Sequence, residues 1–223
     1  KALQEYLSTN GCYTENVEDA DVVVINSHHL TLSDLWKLFS VFKKNNILCL
    51  HRIDGPLTLA RDSQVQMITD YVVWEINKLF ADGTVFQSIW SKNENVKLGF
   101  SISESTVIRN APNPAIFYKS LEKKRPGPKI RLVASSFSSN PKKGFDVYQY
   151  LDAQLNFDVF SFTFIGNSPI QFKNIINLGL LPSHEVSNVL RGCDIFIGAS
   201  YVESCSNALI EAMHCGLIPI CRF

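Results

Sequence analysis

The stretch DIFIGASYVESCSNALIEAMHCG, residues 194–216, decides how the rest of the chain is read. Its apolar start, 195–198, has the length and composition of a buried strand. A loop of small residues follows, and then a helix in which Glu211 stands amid Ala208, Leu209, Ile210, Ala212 and Met213. A second carboxylate, Glu203, lies in the loop just before that helix. Two acids so spaced project toward one pocket at the carboxyl end of a strand. A glutamate set this deep in an apolar helix is costly to bury without a partner.

Working outward, the same strand-loop-helix unit recurs on the amino-terminal side. Strands are predicted over 131–134, 160–165 and 175–177, with helices over 145–155 and 183–190. The first half repeats the plan with strands over 22–25, 47–50, 84–87 and 106–108 and helices over 1–10, 33–44, 71–80 and 94–100. Strands alternating with helices at this spacing give parallel sheets, so the fold class is α/β with two Rossmann-like, doubly wound parallel-sheet domains. The continuous run VVVI at 22–25 predicts a strand buried on both faces. Between the halves, KSLEKKRPGPK at 119–129 is charged, rich in proline and glycine and nearly free of apolar residues, which is linker chemistry. The expected division is a first domain over 1–118, a linker over 119–129 and a second domain over 130–223. No strand precedes the first helix and a strand is only beginning near Phe223, so both domains are expected to be incomplete.

Bulk properties narrow the functional classes. Of 223 residues, 46% are hydrophobic, enough for packed cores, and 21 basic residues balance 21 acidic ones. That balance argues against a general nucleic-acid-binding or polybasic membrane surface and leaves room only for a local patch. Cys12, Cys49, Cys193, Cys205, Cys215 and Cys221 form no CxxC pair, which fits reduced buried thiols and not a zinc site or disulfide framework. No apolar run approaches the roughly 18 residues that a membrane span needs.

Ligands of doubly wound sheets sit at the carboxyl ends of strands, so the strand-to-helix loops carry the candidate chemistry. In SSFSSNPKKG, Lys142 and Lys143 precede Gly144 and a helix start. This is either a phosphate site or a solvated basic loop. Glu211 is either a binding carboxylate or a structural one paired with an arginine such as Arg222. Paired carboxylates also suit glycoside hydrolysis, which would explain Glu203 and Glu211 but neither the lysine loop nor the parallel sheets. His51 in LHRIDGP lies at a sheet's ligand edge beside Arg52 and Asp54, as a functional or a hydrogen-bonded structural histidine. His28 and His29 have no metal-ligand partners at helical spacing, and no metal site is expected.

Taken together, NPKKGFD, FTFIGN, NLGLLPSHEV, GCDIFIGAS and ESCSNALIEAMHCGLIPI resemble, in order and spacing, the nucleotide-sugar-binding domain of GT-B-fold retaining glycosyltransferases of the family-4 type. HRIDGP, VFQSIWSK and VIRNAPNPAIF are similar to landmarks of the acceptor-side domain of the same group. The resemblance implies transfer of a sugar from a nucleotide-diphosphate sugar to a hydroxyl of a glycan, lipid-linked or small-molecule acceptor, with retained configuration. By position it implies that Lys143 and amides near Gly144 meet the donor diphosphate and that Glu211 meets the ribose. It further implies that Glu203 and His51 approach the transferred sugar and that backbone around Leu180 meets the base. No cofactor or metal is implied, since a lysine and a helix dipole take the charge. The implied setting is cytoplasmic, with at most peripheral association at the inner face of a membrane, and no nucleic-acid partner. Other readings are an epimerase on the same fold and a non-catalytic nucleotide-sugar-binding module. Two positions depart from the group's pattern. Ser138 stands where an arginine is usual, and SCSN replaces a glycine-rich turn after Glu203.

Overall fold

The computed structural model describes residues 2–26, 32–61, 64–120 and 127–222. The chain divides into two units, Lys1–Arg109 and Asn110–Phe223.

In the second unit, β5 (Ile130–Ser136) leads through a loop to α6 (Phe145–Gln154). Then come β6 (Phe160–Gly166), β7 (Ile176–Asn177), α7 (Ser183–Gly192), β8 (Ile195–Gly198), α8 (Asn207–His214) and β9 (Ile218–Cys221). All pairings are parallel and the strand order is β7-β6-β5-β8-β9. The chain therefore builds outward from β5 in one direction, then reverses and adds β8 on the other side. Strand period sorts the core onto both faces. Leu132, Ala134, Phe162 and Phe164 pack with Phe145 and Tyr148 of α6. Val133, Ile165 and Phe196 face the other way, onto Leu190 of α7 and Ala212 of α8. At the amino ends of the two central strands, Arg131 forms a bidentate pair with Asp194, with Nε donating to Oδ2 at 2.9 Å and Nη2 to Oδ1 at 2.8 Å.

The first unit begins with α1 (Ala2–Thr9), which stops before Gly11 (φ 68°). Its sheet holds β1 (Val22–Ile25), β2 (Leu48–Ile53), β3 (Gly83–Phe86) and β4 (Ser105–Val107), all parallel and in sequential order. They are joined through α2 (Leu32–Asn45), α3 (Leu57–Arg61), α4 (Gln64–Phe80) and α5 (Ile89–Lys97). Sequential order with right-handed crossovers sends these helices to one face. Burial agrees: Cys49, His51 and Ile53 are enclosed while Leu48 of the same strand is open.

Four expectations change. The strand at 22–25 is not covered on both faces, because Val22 and Val24 at the sheet's edge are exposed. The helix predicted over 71–80 begins at Gln64, and that predicted over 94–100 begins at Ile89 with Ser88 as its cap. The domain boundary also falls earlier than 118. Phe117 is buried in the second unit's core, and the Ile116 carbonyl accepts bonds from Ser187 and Arg191 of α7, so 110–118 fold with the second unit. The linker's centre, 121–126, and His28 and His29 lie outside the described residues. Among the described residues no helix is long and apolar enough to cross a membrane.

Candidate functional site

Strand order reverses between β5 and β8, and the crevice outside their carboxyl ends is where doubly wound sheets bind ligands. Two loops meet there, the lysine loop after β5 and the loop carrying Glu203 after β8.

Short polar side chains build the first loop. The hydroxyl of Ser136 donates to the Ser138 carbonyl at 2.7 Å, and the Asn140 amide donates to the Ser138 hydroxyl at 3.2 Å. The Lys142 amide then donates to Asn140 Oδ1 at 3.0 Å, capping a single 3₁₀ turn, Pro141–Lys143. Ser138, where an arginine is usual in the resembling group, thus serves loop shape. Gly144 (φ 80°) turns the chain into α6, and a Cβ placed on it would lie 2.2 Å from the Ala199 carbonyl oxygen. Only glycine permits both the left-handed backbone and this approach of the two loops. A Cβ placed on Gly166, at the end of β6, would likewise lie 1.9 Å from the Ser136 carbonyl oxygen.

The second loop is fastened to the first. The Tyr201 amide donates to the Lys142 carbonyl at 2.8 Å. The Lys143 ammonium forms an ion pair with the Glu203 carboxylate, which also accepts a bond from the Ser200 hydroxyl at 3.1 Å. Beneath the loop, the buried Tyr148 hydroxyl lies 3.3 Å from both the Ile197 carbonyl and the Ala199 amide, donating to one and accepting from the other. Burial pushes this phenol up to about 12, so it keeps its proton and acts as a fixed strut. Tyr201 donates its hydroxyl to Asp146 on the first turn of α6, and that bond holds the Asp146 carboxyl below its usual range. The guanidinium of Arg222, just past β9, lies over the Tyr201 ring at 3.9 Å.

Ser206 caps α8, its hydroxyl accepting from the Leu209 amide at 3.3 Å. Asn110 adds a second hold on the helix start, donating to Asn207 Oδ1 at 2.9 Å. Glu211 sits one turn in and is partly buried, with no ion pair or side-chain hydrogen bond among the described residues. Desolvation raises its pKa from 4.5 to about 7. The structural alternative, pairing with Arg222, is not what the structure shows, because Arg222 rests on Tyr201.

The remaining candidates fall elsewhere. Leu180 is exposed in a turn after β7, held through the Gly166 amide donating to the Gly179 carbonyl at 2.7 Å. His51 belongs to the first unit and is fully enclosed, its Nδ1 3.2 Å from Asn77 Nδ2. That burial removes it from direct reach of a ligand in this conformation. Arg52 beside it bonds Asp54 at 2.7 Å and Gln87 at 2.9 Å. A cavity of about 420 Å³ lies along 168–172 with Ile175 and Asn177, and none of the candidate residues lines it. The structure therefore joins Lys143, Gly144 and Glu203 and places Glu211 on the helix their loop feeds. Sequence reasoning missed Ser200, Tyr201, Tyr148 and Asp146, whose only signal was proximity to Glu203 or Gly144. Among the described residues no group of three or more His, Cys, Asp or Glu side chains could hold a metal ion.

No protein-family model and no curated protein matches the chain. Solved structures do. Anabaena HepE in complex with UDP and glucose matches with a TM-score of 0.69 at 15% identity, over 99% of this chain and 62% of that one. Sucrose-phosphate synthase from Thermosynechococcus elongatus matches with a TM-score of 0.67 at 14% identity, over 99% of this chain and 58% of that one. The lipopolysaccharide outer core galactosyltransferase WaaB matches with a TM-score of 0.54 at 14% identity, over 98% of this chain and 58% of that one. The chain thus spans about three fifths of the length of these neighbours, which are GT-B glycosyltransferases. At this identity the likeness shows the fold, and the fold is GT-B.

Proposed function

We propose that the chain is part of a retaining glycosyltransferase that moves a sugar from a nucleotide-diphosphate sugar to a hydroxyl acceptor, with the donor site in its second unit. The observation that carries the reading is the Lys143–Glu203 pair, fastened at the strand-order reversal beside the start of α6. Its support comes from the fold, whose neighbour HepE is crystallised with UDP, with UDP and glucose, and with UDP-glucose.

In this reading the ion pair is the resting form of the site. Each partner holds the other in place until a donor arrives. Lys143 then turns to the diphosphate, together with the first amides of α6, while Glu203 is released to accept hydroxyls of the transferred sugar. Glu211 accepts the ribose hydroxyls, and backbone near Leu180 meets the base. Charge developing on the leaving diphosphate is met by groups already oriented toward it, and the proposal assigns no step to a metal. His51, enclosed in the first unit and held by Asn77, acts as a positioning residue and not as a group touching the sugar. The acceptor is a glycan or lipid-linked hydroxyl, met at a peripheral membrane surface when it is lipid-linked, and the reaction belongs to polysaccharide assembly in the cytoplasm.

Lys143→Ala tests the diphosphate contact. Titration calorimetry should show affinity for the nucleoside diphosphate falling about 10-fold or more while affinity for the parent nucleoside is unchanged. Equal losses for both ligands would remove Lys143 from the diphosphate. Product analysis with and without acceptor completes the test: anomeric configuration retained in a transferred product supports the reading, whereas donor sugar converted without acceptor would assign an epimerase.

A further inference from the structure

Resting on the donor-site reading above, we propose that Arg222 is a second cation for the donor diphosphate, presented to it by the ring of Tyr201. A nucleotide-diphosphate sugar brings a negative charge on each phosphoryl group. Lys143 offers one point charge, and in the resting site that charge is already matched by Glu203. A further cation near the same crevice would balance the remaining phosphoryl charge, and a planar guanidinium suits two phosphoryl oxygens better than an ammonium does.

Arg222 has the required position. Its backbone amide donates to the Gly198 carbonyl at 3.0 Å, which sets it level with the last residue of β8, where the Glu203 loop begins. Its guanidinium lies 3.9 Å from the centre of the Tyr201 ring, and Tyr201 is two residues from Glu203 in that same loop. The ring is anchored at both ends, by its backbone amide on the Lys142 carbonyl and by its hydroxyl on Asp146. Asp146 sits on the first turn of α6, the end of a helix that attracts anions, and the Arg222 charge helps hold its carboxyl ionised. Among the described residues the guanidinium has no ion pair or side-chain hydrogen bond, and the residue is exposed. A cation stacked on an anchored ring is held in one place before the anion arrives, which lowers the ordering cost of binding it.

The experiment is calorimetric titration of the protein with UDP, GDP and ADP, each beside its parent nucleoside, for wild type, Arg222→Gln, Arg222→Lys, Tyr201→Phe and Tyr201→Ala. Thermal unfolding of each variant confirms folding. The expected result is a fall of about 10-fold in diphosphate affinity for Arg222→Gln with nucleoside affinity unchanged, and partial recovery in Arg222→Lys. Tyr201→Phe keeps the ring but loses its hydroxyl anchor on Asp146 and should show a smaller loss than Arg222→Gln, whereas Tyr201→Ala should resemble Arg222→Gln. Wild-type affinity for the diphosphate in Arg222→Gln, or an equal loss for nucleoside and diphosphate, overturns the assignment of Arg222 and leaves the donor site standing. A wild-type protein that binds none of the six ligands overturns the donor reading, and this inference with it.

Discussion

Glu211 is the residue whose surroundings make the sharpest demand. Burial in α8 without a partner raises its folded-state pKa to about 7, against 4.5 for an ordinary glutamate. An acid whose pKa rises on folding contributes stability that is present in full below the unfolded value and is lost as pH climbs through the folded one. In the ligand-free protein this contribution therefore disappears between about pH 4.5 and pH 7. Ribose hydroxyls would donate to the ionised carboxylate, so nucleoside affinity should rise with pH and level off above about 7, with a proton released on binding below that value. Calorimetry in buffers of different ionisation heat reads that proton directly. Glu211→Gln should abolish its release and, at pH well above 7, weaken binding roughly 10–150-fold. Pressure on this position was legible in ALIEAM, because apolar neighbours leave a carboxylate nowhere to go. The Lys143–Glu203 contact was not, since 60 residues separate the partners and only the sheet's crossover brings them together.

At the scale of elements, the site depends on how closely the start of α6 can approach the end of β8. Gly144→Ala forces a Cβ onto the Ala199 carbonyl at 2.2 Å and into a left-handed backbone, two faults at one position. It should cost about 2 kcal/mol or more in denaturant-monitored stability, and it should depress donor affinity because both loops must separate. A variant with native stability and native affinity would show that the loops need not touch. The elements themselves were readable where one signal dominated. The apolar run 195–198 matches β8 (Ile195–Gly198), and PKKG marked the start of α6. Signals failed where tertiary contacts overrode local composition. Residues 110–118 read as the end of the first domain, yet the burial of Phe117 and the bonds at Ile116 bind them to the second unit. Tyr201 and Arg222 gave no signal of pairing, because their contact exists only once β9 has docked beside β8.

For the molecule as a whole, alternating strands and helices were sufficient to give two parallel α/β units, because each short apolar run lies between helical stretches with few competing readings. The order β7-β6-β5-β8-β9 was beyond reach, since sequence pattern does not say on which side of β5 a strand will pair. That order makes the Arg131–Asp194 clamp a whole-molecule feature. It joins the amino ends of the central strands, at the opposite end of the sheet from the donor loops, and with both partners partly open it is worth about 1 kcal/mol despite its bidentate geometry. Asp194→Asn should lower stability by about that amount and leave equilibrium donor affinity nearly intact.

The same clamp has a consequence in time. Its partners lie 63 residues apart, and β5 and β8 can meet only after the chain between them has been gathered in. In refolding from denaturant, the half of the sheet holding β5, β6 and α6 is free to form early, while the lysine loop waits for the loop that will face it. Recovery of donor binding should therefore trail recovery of helical signal, and the nucleotide becomes a clock for the last strand to arrive.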